Sequence, residues 1–356
     1  MTVTPRPSVL ALAISFSLLA SNASGATSTD DSSPRAVWYQ HITTLYQQLA
    51  DTTTDLHDET LALCAVDGSA NSRTIDSLEQ HWLDAYRAWQ AVRFVDFGPI
   101  ELESRAWQLQ FWPDDKNLVG TRMAARLHQE APITSETIAT AGVAETGFPA
   151  LEYLLFDEAM QNPALSRSQP IACDLAEAIS AHIQNISAQL VNDWQDFGPH
   201  YLATDSYNNA TVHGAMQLLD ILEDKRLGKP LGMMGSSANA YRAEAWRSDA
   251  SITLVEASLA GLKDGFMPGL QALFITQGKT DTTSTELLNA FDAQLQHTLE
   301  QANAINTGIA SGLEDSIAQQ QLGSLYLNVA QLRELLNRQI AAELDIVRGF
   351  NSSDGD

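Results

Sequence analysis

This chain predicts an all-α fold of two antiparallel helical bundles, and three observations predict it. Apolar residues recur every three or four positions over long windows, the period of a helix with one buried stripe. No run alternates polar and apolar residues for long enough to make a sheet. The helical windows are separated by short breaks rich in Gly, Pro and Asp, which suits antiparallel neighbours. With 356 residues there is room for a bundle at 36–200 and a second at 201–356.

The elements follow in order. Arg6, the apolar run Val9–Ala20 and the small residues after it predict a signal peptide over 1–26, cut near Gly25 or Ala26. The run is short for a membrane span, and no other stretch approaches the ~20 apolar residues a span needs. Residues 27–35 are expected to be a disordered mature N-terminus. A helix is predicted from Ala36 to Ala65 on Ile42, Leu45, Tyr46, Leu49, Leu56, Leu61 and Leu63, ended by Asp67-Gly68-Ser69. The next carries Ile75, Leu78, Trp82, Tyr86, Trp89 and Val92, with Thr74 or Asp76 as its cap, and stops at Asp96-Phe97-Gly98-Pro99. The same DFGP tetrapeptide recurs at Asp196–Pro199. It is either a trace of duplication or one helix-stop chemistry used twice.

A Trp- and carboxylate-rich connection follows at 98–117, then short helices at Leu118–Gln129 and Ser135–Ala141. Gly147–Met160 is predicted as a buried helix, capped by the Thr146 hydroxyl and opened by Pro149. Glu152 sits among Leu151, Leu154, Leu155 and Phe156, where a carboxylate must be paired, hydrogen-bonded, metal-bound or protonated. Long helices are expected at Ile171–Phe197, Asn208–Leu227, Asn239–Lys263, Asp281–Gly308 and Leu313–Val347. The segment GKPLG at 228–232 and the Met267-Pro268-Gly269 turn serve as breaks.

Composition narrows the partners. The formal charge is −24, from 20 basic and 44 acidic residues. That disfavours nucleic acid and anionic membrane surfaces. It is compatible with attracting cations or with a solubilising surface. In an exported chain the two cysteines, Cys64 and Cys173, read as a disulfide. The bridge would close a loop of about 110 residues, for roughly 3–5 kcal/mol. There is no HExxH, CxxC, P-loop, dinucleotide-binding glycine pattern or nucleophile elbow. No two of the eight histidines stand three or four apart, so no helix carries a local His pair for a metal. The residues alone assign no catalytic group.

Four segments, in this order and spacing, resemble the imelysin family: AWQAVRFVDFGPIE with the later FWPDD, then GFPALEYLLF, then KRLGKPLG followed by EAWRSDAS, and finally the terminal GFNSSDGD. The resemblance implies an exported, periplasmic bacterial protein of two helical bundles. It also implies a link to iron, since members are often iron-regulated or encoded near iron-uptake systems. Founding members were described as metallopeptidases. The family signature, Gly-x-His-x-x-Glu, falls on Gly147, Pro149 and Glu152. Gly and Glu match, and Pro149 replaces the histidine. A His and a Glu three apart on one helix face could chelate a cation, whereas proline has no ligand atom. Glu152 alone does not make a zinc site, which needs about three protein ligands. Glu101 and Glu244 are the further acids to check.

By the same resemblance, Arg93 belongs to a first-half segment and Trp246, Arg247 and Ser248 to a second-half one. All are expected around one cleft near Glu152, with Arg93 or Arg247 pairing with that carboxylate. The leading expectation is a non-enzymatic protein of metal acquisition that binds a ligand or partner in the inter-bundle cleft. Iron or zinc is the cofactor to test, and a metal ion or an iron-uptake component is the expected partner. A metal-dependent peptidase, and a cell-envelope interaction module with no small ligand, are the alternatives.

Overall fold

The structure, a computed structural model, describes residues 32–65, 72–129, 133–161 and 170–346. The predicted signal peptide and the terminal GFNSSDGD lie outside these. Among the described residues every regular element is a helix and none is a strand. None of the described helices is long and apolar enough to cross a membrane.

The order is α1 (Pro34–Cys64), α2 (Ser72–Val92), a 3-10 segment (Gly98–Ser104), α3 (Arg105–Leu109), α4 (Leu118–Leu127), α5 (Ser135–Ala139), α6 (Gly147–Phe156) and α7 (Pro170–Ala203). Then come α8 (Ser206–Asp220) with a π-helical extension (Ile221–Gly228), α9 (Ser251–Gly261) with another (Leu262–Phe266), and α10 (Met267–Thr276). The chain closes with α11 (Thr282–Ala304), α12 (Ile309–Gly312), α13 (Ser316–Glu334), a third π segment (Leu335–Ile340) and α14 (Ala341–Glu343).

The 3.6 period decides what is buried. Trp38, Ile42, Tyr46, Leu49 and Leu56 of α1 face α2 and α7. The stripe of α2, Leu78, Trp82, Ala85, Tyr86, Trp89 and Val92, is closed from water and packs on α9. That crossing is tight because Gly261 has no side chain: a Cβ there would lie 1.9 Å from the Ala91 carbonyl oxygen. On the far side of α9, α11 and α13 add a second layer. The apolar core runs unbroken from α1 to the third π segment and draws on both halves of the chain. Cys64 and Cys173 are bonded, with Cα atoms 5.6 Å apart, tying the end of α1 to the start of α7.

Four local expectations are corrected. The first DFGP does break its helix, with Gly98 at φ +73°, but the second does not. Helix α7 runs through Pro199 to Ala203. Its last turns are held by Trp194, Phe197 and Tyr201, packed against Tyr39, Phe97 and Tyr207, and this packing outweighs the lost hydrogen bond of an interior proline. The stretch 243–250, predicted as helix, is a turn with Ala245 and Asp249 in the left-handed region (φ 49° and 55°). Met267-Pro268-Gly269 is not a break: the π segment passes directly into α10, with Pro268 in its first turn, where no amide donor is needed. The Thr146 hydroxyl does not cap α6, because it donates instead to the carbonyls of Gln108 (3.0 Å) and Val143 (3.2 Å). Asp281, the expected start of a helix, is the N-cap of α11 and accepts from the amides of Thr283 (2.9 Å) and Ser284 (3.1 Å).

Helix α6 is the most enclosed element, with every residue from Gly147 to Leu155 buried. Phe148 stacks on Tyr86 with ring centroids 4.6 Å apart, and its carbonyl accepts the Trp82 indole N–H at 3.1 Å. Gly147 sits at φ +74°, and a Cβ there would meet the Leu109 carbonyl oxygen at 2.2 Å. Gly147→Ala is therefore expected to cost about 2 kcal/mol or more, from left-handed strain and a backbone clash together. Urea unfolding would show it; a change below about 0.5 kcal/mol, the range of ordinary surface substitutions, would refute the close approach.

Candidate functional site

The residues expected around one cleft occupy two places, joined by a buried polar network. The first place is the contact of α6 with the 243–250 turn. Glu152 is 2% exposed, and its Oε1 accepts both the Ser248 amide (2.9 Å) and the Ser248 hydroxyl (2.9 Å). Arg247 pairs with Asp157 at 2.7 Å and donates to Asn117 at 2.8 Å. Its guanidinium lies over the rings of Trp246 and Tyr153. The Arg247 guanidinium pairs with Asp157 and not with Glu152, contrary to the sequence expectation, and Arg247 acts on Glu152 through its backbone N–H and its charge. The turn, shaped by left-handed Ala245 and Asp249, presents the Ser248 backbone N–H to the carboxylate. Only about 30 Å³ of space remains beside Glu152, Pro149, Trp246 and Arg247, so this is a packed joint.

Burial raises the Glu152 carboxyl above the usual carboxylate range, and the Ser248 hydrogen bonds and the Arg247 charge pull it part of the way back. A folded-state value above the unfolded one means that the native chain holds this proton more tightly. The stability so gained is present at acid pH and is lost as pH rises through the folded value. Glutamine does not titrate. The stability deficit of Glu152→Gln relative to the parent is thus expected to be largest near pH 4 and to shrink toward about pH 7. Paired urea melts at the two pH values check this. A deficit that grows toward neutrality would mean that hydrogen bonding to the charged form outweighs burial.

The second place is the network. Glu244 and Arg226 are each 2% exposed, with Nε and Oε2 3.0 Å apart. This is a charge contact not aligned as a hydrogen bond. Glu244 Oε1 accepts from the Tyr86 hydroxyl (2.8 Å), from Gln90 (3.1 Å) and from Gln110. Arg226 donates to the Ser258 hydroxyl (3.1 Å) and to Gln90 Oε1. Gln110 also accepts the Trp89 indole N–H at 2.7 Å. Five separate stretches of chain meet here: α2, the connection after α3, the π extension of α8, the 243–250 turn and α9. Glu244 was expected as a cleft acid and is instead wholly enclosed. Gln90, Gln110 and Arg226 were not singled out from sequence, although Gln90 follows Trp82 and Tyr86 in the phase of the buried stripe, and a polar residue in that phase is the signal that marks it.

On the other side of Arg226 lies an open cavity of about 660 Å³. Its floor is the turn after α2 and the 3-10 segment, with Arg93, Asp96, Ile100 and Glu101; α3 and the following connection give Trp107 and Trp112; α8 and its π extension give Gln217, Leu218, Lys225 and Arg226. Gly214 lets α8 approach, since a Cβ there would lie 2.1 Å from the Phe94 carbonyl oxygen. The Arg226 guanidinium lies 5.8 Å from the centre of the Trp112 ring, at the cavity wall. The structure thus sets Arg93 and Glu101 on the cavity and Glu152, Trp246, Arg247 and Ser248 on the joint.

A family model described as Imelysin, peptidase M75, matches residues 42–338. The chain belongs to the imelysin family. Two solved structures share the imelysin fold. A crystal structure of an imelysin-like protein from Psychrobacter arcticum 273-4 superposes with TM-score 0.75 at 19% identity, over 89% of this chain and 97% of that one. A protein described as an iron-regulated protein A precursor, from Parabacteroides distasonis ATCC 8503, superposes with TM-score 0.63 at 15% identity, over 88% and 96%. No curated protein matches the chain in sequence.

The peptidase in the family's name directs attention to a metal at the signature. The residues here do not fit one. Pro149 has no donor atom, Glu152 is committed to Ser248, and among the described residues no three His, Cys, Asp or Glu side chains stand together as a ligand set. In this imelysin the signature glutamate joins α6 to the turn that follows the π extension.

Proposed function

We infer that this imelysin is an exported, non-enzymatic protein of iron acquisition that binds a small ligand in the cavity between the α2–α3 region and α8. The cavity carries this reading: it is roomy, mixed in polarity and walled by two tryptophans, as ligand sites are. Export is supported by the N-terminal apolar run and by a disulfide, which persists in oxidising compartments. The iron link rests on family membership and on the description of the Parabacteroides neighbour.

The test is genetic. Deleting the gene should slow growth under iron restriction. The parent chain should restore growth, and Gln217→Trp, which fills the cavity from α8, should not. Unchanged growth of the deletion strain would overturn the iron role; full rescue by Gln217→Trp would overturn the cavity.

A further inference from the structure

The charge of the cavity runs against the charge of the chain. The protein carries −24 overall, yet the cavity wall holds Arg93, Lys225 and Arg226 against Asp96 and Glu101. Two of these groups are already engaged. Arg226 faces Glu244, and Glu101 accepts the Gly98 amide at 2.9 Å. Arg93 is different. No carboxylate pairs with its guanidinium among the described residues, and its Nε is enclosed without a hydrogen-bond partner. Its contact is the face of Trp89, 5.1 Å from the ring centre, which holds a cation but satisfies no N–H. A buried donor left unsatisfied costs about 1–3 kcal/mol, and Arg93 also lines the cavity. Burial, and after it the nearby Arg226 charge, lower the Arg93 guanidinium from its ordinary value against the opposing charges of Glu244 and Asp96, and a bound anion would offset the Arg226 repulsion.

We propose that the cavity binds a small organic anion, its carboxylate held by the Arg93 guanidinium and its apolar body lying along Trp107 and Trp112. Guanidinium suits this task because its planar fork matches a carboxylate with two parallel hydrogen bonds. Lys225 adds a second positive charge from the π extension of α8, on the same wall. The proposal rests on the cavity being the ligand site and names the class of ligand.

The experiment is calorimetric titration of the oxidised mature chain with citrate, benzoate and the uncharged benzamide, repeated on Arg93→Gln, Lys225→Gln and the surface control Arg122→Gln. At least one carboxylate should bind at one per chain. Arg93→Gln should weaken it by roughly tenfold or more, in the range of a charge-assisted hydrogen bond. Lys225→Gln should weaken it less and Arg122→Gln not at all. Two results overturn the proposal: no binding of either carboxylate, or binding that Arg93→Gln leaves unchanged. Benzamide binding as tightly as benzoate, and lost in Gln217→Trp, would reject the anion while keeping the cavity as a ligand site. The two failures are therefore distinguishable.

Discussion

Glu244→Ala should destabilise the fold by about 3–5 kcal/mol, the cost of leaving one member of a buried ion pair alone. Arg226, 2% exposed, would lose the carboxylate it pairs with. The Tyr86 hydroxyl and the Gln110 amide would lose their acceptor, and Gln90 Nε2 would keep only Gln110 Oε1, at 3.2 Å. The paired change Glu244→Leu with Arg226→Met should recover only part of the loss, since it removes the lone buried charge but leaves the Tyr86 hydroxyl and the Gln110 amide without their acceptor. Urea unfolding of the three variants measures it. A single-variant loss below about 1 kcal/mol, as for an exposed pair, would refute the network as described.

Removing the disulfide should have the next largest effect. The bridge spans 109 positions, and in the chain-entropy model a loop of about that length is worth roughly 4–5 kcal/mol. Cys64→Ser with Cys173→Ser should therefore unfold at much lower urea, chiefly through a freer denatured state. The native contacts of α1 with α7 should survive, because Trp38, Tyr46 and Trp194 lie far along the helices from the bridge. Near-ultraviolet circular dichroism of the folded double variant tests that second point. A loss under about 1 kcal/mol would mean that the reduced chain keeps the loop closed by its own packing.

Much of the fold was legible because helices with one buried stripe announce themselves by period. The stripe of α2, the stop at Gly98 and the helix start at Asp281 follow from side-chain spacing and local signals alone, and the disulfide follows from there being two cysteines. What was not legible depended on distant partners. Pro199 lies inside α7 because an aromatic cluster from α1, α8 and the segment after α2 grips the helix on both sides of it. The 243–250 turn uses Ala245 and Asp249 in left-handed conformations, with no glycine to mark them. Part of its cost is met by Glu152 on Ser248 and by Asp249 accepting the Gly308 and Ser311 amides. At the candidate site, Glu152 was identified as a buried carboxylate, but its partner is a serine from far along the chain. Arg226 lay within a recognised segment, yet nothing in KRLGKPLG says that a π-helix carries both Lys225 and Arg226 to one cavity.

The signature position shows the same division. Glycine is required at 147 by the carbonyl pressing on it, and Glu152 by the turn it holds. Neither requirement involves a metal, so Gly147 and Glu152 each have a structural explanation of their own.

Metal analysis of the protein purified without chelators, alongside Glu152→Gln and with zinc and iron titrations of both, tests this most directly. Glu152→Gln is expected to change neither the metal content nor the titrations. One equivalent of zinc or iron per parent chain, absent from Glu152→Gln, would contradict it.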